Sequence, residues 1–321
     1  SPVFASISGS SVATAATIGT VAFPTFRKQN YAEAWVAGSI ASGATLGILI
    51  PPSINLIIYG AITNTSIGAL FTAGILPGVL LALCFMLMIV VASLLNPAVA
   101  GRREPLAPWA ERRKRLMDLI PPLVIFILVM GSIYLGFATP TEAAGVGVMA
   151  AFALTAFYGT LGWGMLREAM MSAVTTTGMT LLILIAAFYL NFILGVLGVP
   201  AQVSAFVSTF DVTPLVMLLL LVALYMVLGC FLDALAMMIA TIPIVLPIVI
   251  SLGYDSIWFG IFLVLMCELA LITPPVGMNL YVTQSVRGRG HVGTVIAGVL
   301  PFCLCILAVV ALISVFPGIL I

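Results

Sequence analysis

Gly47-Ile48-Leu49-Ile50-Pro51-Pro52-Ser53 interrupts an apolar run over about 34–60, and Leu271-Ile272-Thr273-Pro274-Pro275-Val276-Gly277 interrupts another over about 257–283. Proline has no N–H to donate and its ring clashes with the preceding turn. Each Pro pair is therefore expected to break a helix and leave the carbonyls before it without partners. Backbone of that kind is tolerated at membrane depth only where it is buried in protein or lines a water-filled cavity. Freed carbonyls and half-helix C-terminal ends suit a bare Na⁺, and half-helix N-termini suit a carboxylate.

Composition makes the depth that of a membrane. Hydrophobic residues form 63% of the 321-residue chain and charged residues 7%, whereas a water-facing domain carries roughly a quarter charged residues. At about 20–25 residues per passage there is room for roughly nine or ten spans with short loops. Beyond the two broken runs, spans are expected at about 67–95, 119–138, 141–160, 175–198 and 292–319. A run over 213–250 carries Asp233 near its centre. Cys84, Cys230, Cys267, Cys303 and Cys305 all fall inside apolar runs and read as buried small hydrophobes rather than a disulfide or metal framework. The chain opens at Ser1-Pro2 without an initiator Met or a leader pattern, which reads as a fragment lacking N-terminal segments.

All 11 Lys and Arg lie in four places: Arg27-Lys28, Arg102 to Arg115, Arg167, and Arg287 with Arg289. The positive-inside rule puts these on the cytoplasmic side. They share one side if the segments before Arg27 and around Asp233 each return to the face they entered from, as re-entrant hairpins do. Two ordinary spans with a turn near Gly229–Asp233 preserve the same sidedness, so both readings stand. An offset of 223 residues then pairs Pro24 with Pro247, Tyr31 with Tyr254, Trp35 with Trp258 and Pro51-Pro52 with Pro274-Pro275. Ser10 falls on Asp233, and a slip of one residue pairs Asn55-Leu56 with Asn279-Leu280. The loop after the first copy's hairpin is basic and its counterpart near Asp255 is not, so the copies have opposite orientation. Inverted repeats with broken helices are the plan of secondary transporters. The fold expected is an all-α polytopic membrane protein with inverted-topology repeats, two re-entrant hairpins and two Pro-broken helices.

The candidate cation ligands are Ser8 and Gly9 at the first hairpin tip, Gly47 and Pro51 at the first break, Gly229 and Asp233 at the second tip, and Thr273, Pro274 and Gly277 at the second break, mainly through backbone oxygens. Substrate contacts are assigned to Ser10, Ser11, Ser53, Asp233 and Asn279. Each has a plainer reading: Pro pairs mark kinks, small residues serve helix packing, and Asn279 can bond to a freed carbonyl. Asp233 reads as an ion or proton site. Glu268, six residues before the second Pro pair, reads either as functional or as paired to a polar neighbour. Glu142 reads as an acid at a helix N-terminus. Enzyme chemistry has little material: His291 is the sole histidine, and there is no G-x-x-x-x-G-K-[ST] or H-E-x-x-H motif. A channel remains a second alternative.

Four stretches in this order, Ser8-Gly9-Ser10-Ser11-Val12-Ala13, Gly47 to Ser53, Ala138-Thr139-Pro140-Thr141-Glu142-Ala143-Ala144, and Leu271 to Gly277, resemble the large membrane subunit of TRAP (tripartite ATP-independent periplasmic) transporters. The resemblance covers essentially the whole chain. It implies an elevator-type fold, Na⁺-coupled uptake of organic acids such as dicarboxylates, oxo acids or sialic acids, and location in a bacterial or archaeal cytoplasmic membrane. It also implies two partners, a small four-helix membrane subunit and a periplasmic substrate-binding protein. In these terms 1–66 and 199–291 form the two halves of a transport domain. Residues 67–198 are connecting and scaffold helices around a basic loop at 101–118, and 292–321 is a final span. A carboxylate transporter of similar plan that needs no binding protein is the alternative.

Overall fold

The computed structural model describes residues 10–101, 108, 109, 111, 113, 117, 119–208 and 213–320, and these are helical without strands. Helix α1 (Ser11–Lys28) starts where the Ser10 hydroxyl accepts from the Ala13 N–H at 3.4 Å, and ends in Arg27-Lys28, cations that suit a helix C-terminus. α2 (Glu33–Thr45) runs into a 3₁₀ turn, Leu46–Ile48, and the chain resumes as α3 (Ile54–Thr63) after the Pro51-Pro52 pair. α4 (Ile67–Leu95) follows a three-residue connection.

Next come α5 (Ile120–Tyr134), α6 (Pro140–Phe157), α7 (Trp163–Val196) and α8 (Val199–Ser208). The chain then forms α9 (Pro214–Gly229) and α10 (Ala234–Ser251), joined by a short turn before Asp233. α11 (Ser256–Ile272), the second Pro pair, α12 (Met278–Arg287) and α13 (Val292–Val315) complete the order. Both Pro51-Pro52 and Pro274-Pro275 are cis.

Among the described residues five helices (α4, α6, α7, α10 and α13) are long and apolar enough to cross a membrane, and α3, α5, α9 and α11 are shorter apolar helices. The protein is a multi-pass membrane protein. Two differences from the hydropathy reading stand out. α7 begins 12 residues before the expected 175, because Arg167 and Glu168 lower hydropathy without opposing a helix. The connection expected over 199–212 contains α8, whose Pro200 sits in the first turn, where a missing N–H costs nothing.

The chain forms two compact units, 1–103 with 191–321, and 104–190. In the first, α11 is the axis: every residue from Trp258 to Ile272 is buried. Trp258 donates its indole N–H to the Ile313 carbonyl of α13 at 2.8 Å and stacks on Phe262. α2 and α13 cross at Gly38 and Gly298, so close that a Cβ on either would overlap the other's backbone. Lipid tails are as apolar as Leu, so such small-residue contacts and not water exclusion draw the helices together. In the second unit α5 packs on α6, where a Cβ on Gly147 would lie 2.9 Å from Val129. α6 opens with a capping box in which Thr139 and Glu142 satisfy each other's backbone N–H groups, the N-terminal role expected of Glu142.

Candidate functional site

The second break is built from three pieces of backbone. α11 is capped at its end by Thr273, whose hydroxyl donates to the Leu269 carbonyl at 2.6 Å. Four residues later Gly277 starts α12 with no side-chain cap. A Cβ at Gly277 would stand 2.8 Å from the Thr273 carbonyl oxygen and 3.0 Å from that of Leu271, so the missing side chain lets these carbonyls converge. The turn between α9 and α10 closes against them. Gly229 lies on Ala270 at a distance that leaves no room for a Cβ, and the Cys230 thiol donates to the Pro274 carbonyl at 3.2 Å. Asp233 caps α10 by accepting from the Leu235 N–H at 3.3 Å. Together Gly229, Asp233, Ala270, Leu271, Gly277 and their neighbours line a cavity of about 30 Å³. That is room for a water or a bare monovalent ion, since one probe sphere needs roughly 10–15 Å³. Sequence reasoning placed Gly229, Asp233, Thr273, Pro274 and Gly277 in one site, and the fold brings all five to this junction.

The first break is closed differently. Ser53 is buried; its hydroxyl donates to the Ile48 carbonyl and accepts from the Leu56 N–H, capping α3. Ile50 N–H donates to Leu46 at 2.9 Å. Gly47 and Pro51 are both buried here. The hydroxyl of Ser53 is thus engaged by its own break. Ser8 and Gly9 lie outside the described residues, so this tip is seen only from Ser10 onward.

Between the breaks, Asn279 on α12 reaches the first half. Its amide donates to the Ser11 hydroxyl at 2.5 Å and to the Ala41 carbonyl at 3.0 Å. Asn55, its partner in the repeat, is also buried, and its amide nitrogen has no acceptor among the described residues. Glu268 is fully buried on α11, and neither carboxyl oxygen has a hydrogen-bond partner among the described residues. The Thr45 hydroxyl is the polar group beside it, but that hydroxyl donates to Ser42 O at 2.8 Å. Of the two sequence readings for Glu268, the paired neighbour is not found among the described residues.

A further cluster was not legible as such. Glu33, at the loop end of α2, receives Arg287 through Nε at 3.1 Å and Nη2 at 2.6 Å, and also Arg289. Arg27 stands 3.6 Å from the same carboxylate and donates to the Arg287 carbonyl at 2.5 Å. The hydrogen bonds from Arg287, then Arg289, hold the Glu33 carboxyl below the usual carboxylate range. Arg287 had read as a loop cation marking sidedness; it is the last residue of α12 and is 5% exposed. The available signal was the helical spacing Asn279, Thr283, Arg287, which puts all three on one face.

Comparison with known proteins adds to this geometry. Residues 1–319 match the family described as tripartite ATP-independent periplasmic transporter, DctM component. The chain is 34% identical over 319 residues to the C4-dicarboxylate TRAP transporter large permease protein DctM of Pseudomonas aeruginosa, covering 99% of this chain and 74% of that protein. It is 33% identical over 316 residues to the sialic acid TRAP transporter large permease protein SiaM of Vibrio cholerae, covering 98% and 73%. The ectoine/5-hydroxyectoine TRAP transporter large permease protein UehC of Ruegeria pomeroyi is 29% identical over 319 residues, covering 99% and 73%.

Proposed function

This chain belongs to the DctM family of TRAP transporter large permeases, and we propose that it drives organic-acid uptake with Na⁺ held at its second helix break. The observation that carries the reading is the junction at the second break. There Leu271, Asp233 and Gly277 line a cavity of about 30 Å³, a place for a bare cation, with the Leu271 and Thr273 carbonyl oxygens close beside Gly277. The substrate carboxylate then needs donors. The N-terminal ends of α1, α3, α10 and α12, next to the tips and breaks, supply backbone N–H groups without a basic side chain.

In this reading the segments 1–66 and 199–291 are inverted repeats that form a moving transport domain, with their hairpins re-entrant from opposite faces. Helices within 67–198 belong to the scaffold. A small four-helix subunit completes the membrane part, and a periplasmic binding protein delivers substrate to the outer face of a bacterial cytoplasmic membrane. Na⁺ entry orders the tips against the breaks and creates the substrate site; inward movement releases both. Each net positive charge carried inward gains about 2.3 kcal/mol per 100 mV. The substrates named for the relatives are dicarboxylates, sialic acid and ectoines, and this chain's substrate is expected among such small carboxylates.

The test is uptake of a labelled carboxylate panel by proteoliposomes holding the full permease and its small subunit. The reading predicts uptake that needs both Na⁺ and the binding protein. Uptake with Na⁺ but without binding protein would replace the tripartite scheme, and equal uptake in K⁺ would end the Na⁺ assignment.

A further inference from the structure

Glu268 is the buried acid that the ion and substrate assignments leave unused. It is 0% exposed on α11, and neither carboxyl oxygen has a hydrogen-bond partner among the described residues. No countercharge reaches it. The helices packed on α11 are α2, α3, α4, α9, α10, α12 and α13. Along them the ionic side chains are Glu33 and Arg287, and these two are bonded to each other at the loop end of α2. Thr45, the residue beside Glu268, is the last of α2, so about 18 Å of helix separates it from that pair. Asp233 and Asp255, which cap α10 and α11, are acids themselves. A carboxylate in this place would give up its hydration for nothing, and a buried ion without a partner takes up a proton instead.

Thr45 shows what the proton is for. Its hydroxyl donates to the Ser42 carbonyl at 2.8 Å. A carbonyl can only accept, so the one hydrogen of Thr45 is committed, and toward Glu268 the hydroxyl offers lone pairs alone. A carboxylate is likewise only an acceptor, whereas a carboxylic acid supplies the donor that the pair lacks. The last torsion of a Glu side chain is broad, so turning the O–H onto Thr45 Oγ1 meets little resistance. The placement is also symmetric. Thr45 precedes Pro51 by six residues and Glu268 precedes Pro274 by six, so the offset of 223 that aligns the Pro pairs aligns these two residues as well. Equivalent points of the two broken helices meet each other here.

We propose that Glu268 is a proton-binding site, an acid held protonated that donates to Thr45 Oγ1 and fixes α11 against α2 at the same distance from both breaks. It is a positioning residue, touching neither ion nor substrate. Being neutral, it adds no charge to whatever crosses the membrane. The proton is kept and not exchanged for Na⁺, so the proposal goes beyond the coupling reading and does not depend on it.

The experiment is infrared spectroscopy of the full permease with its small subunit in lipid, at neutral pH, in H₂O and in D₂O. A protonated carboxyl has a C=O stretch apart from those of carboxylates and amides, and deuteration shifts it. The expected result is one such band in the unsubstituted protein that is lost in Glu268→Gln. Thr45→Val removes the acceptor while keeping the shape, and is expected to move the band to higher frequency; Thr45→Ser keeps the hydroxyl and should leave it in place. The two Thr45 variants read the band even if Glu268→Gln does not fold, and Thr45→Ala replaces Thr45→Val if that one does not. Absence of the band, or a band indifferent to Thr45→Val, would overturn the proposal. So would a band that disappears when NaCl replaces choline chloride, because the acid would then be exchanging its proton for the ion. None of these readouts uses transport, so their failure is distinct from failure of the Na⁺ assignment.

Discussion

At the first break the residue that restarts the helix is Ser53, and its hydroxyl closes the gap by bonding to both Ile48 and Leu56. At the second, Gly277 occupies the equivalent place and has no side chain to offer; its N–H donates to the Thr273 carbonyl at 3.0 Å, while Leu271 lines a cavity shared with Asp233. The Pro pairs and their spacing are alike, yet one break is sealed by its own side chain and the other stays open to its partner hairpin. A broken helix is therefore not in itself an ion site. What matters is whether the freed carbonyls are satisfied within the break or left for a ligand.

That contrast can be broken most directly at Gly277. A Cβ there would stand 2.8 and 3.0 Å from two carbonyl oxygens, so Gly277→Ala must push them apart. Displacing such a constellation by about 1 Å can cost on the order of 10² in rate, and Na⁺-dependent uptake is expected to fall by about that factor. Uptake within threefold of the unsubstituted rate would show that the convergence has no role. Ser53→Ala sharpens the comparison from the other side. It removes a helix cap and should lower stability by about 1–2 kcal/mol, read as a drop in unfolding temperature, while the Na⁺ midpoint for uptake stays within about twofold. A large change in that midpoint would mean the first break is as open as the second.

The smallest effect is expected at Glu33, whose cluster joins the start of the first broken helix to the end of the second. Because its folded-state titration lies below the ordinary range, its contribution is complete above the usual carboxylate value of about 4.3 and is lost as pH falls through the lowered folded value. Acid unfolding of the unsubstituted protein should therefore be steeper than that of Glu33→Gln below about pH 4.5. Identical acid profiles would mean that Glu33 adds nothing.

Much of this was legible in the sequence because proline and charge leave marks that do not depend on context. The Pro pairs located both breaks, the apolar run at 67–95 coincides with α4, and Glu142 read as the acid at a helix N-terminus that it is. Hydropathy was blind elsewhere. α11 and α7 are both apolar, yet α11 is buried from Trp258 to its end while Ala187 is the buried residue of α7 among those described. Apolar residues suit lipid and protein interior equally, so period and hydropathy cannot separate the two. The Glu33 cluster and the contact of Asn279 with Ser11 join residues more than 250 positions apart, and no local pattern encodes such a pairing.

Entry of ²²Na⁺ into proteoliposomes is the most direct check on the central claim. The full permease, small subunit and binding protein would be present, with and without unlabelled substrate and at a clamped membrane potential. The account predicts ²²Na⁺ entry that appears only with substrate, carries net positive charge inward, and falls by about 10² in Gly277→Ala. Substrate uptake without accompanying ²²Na⁺ would contradict it.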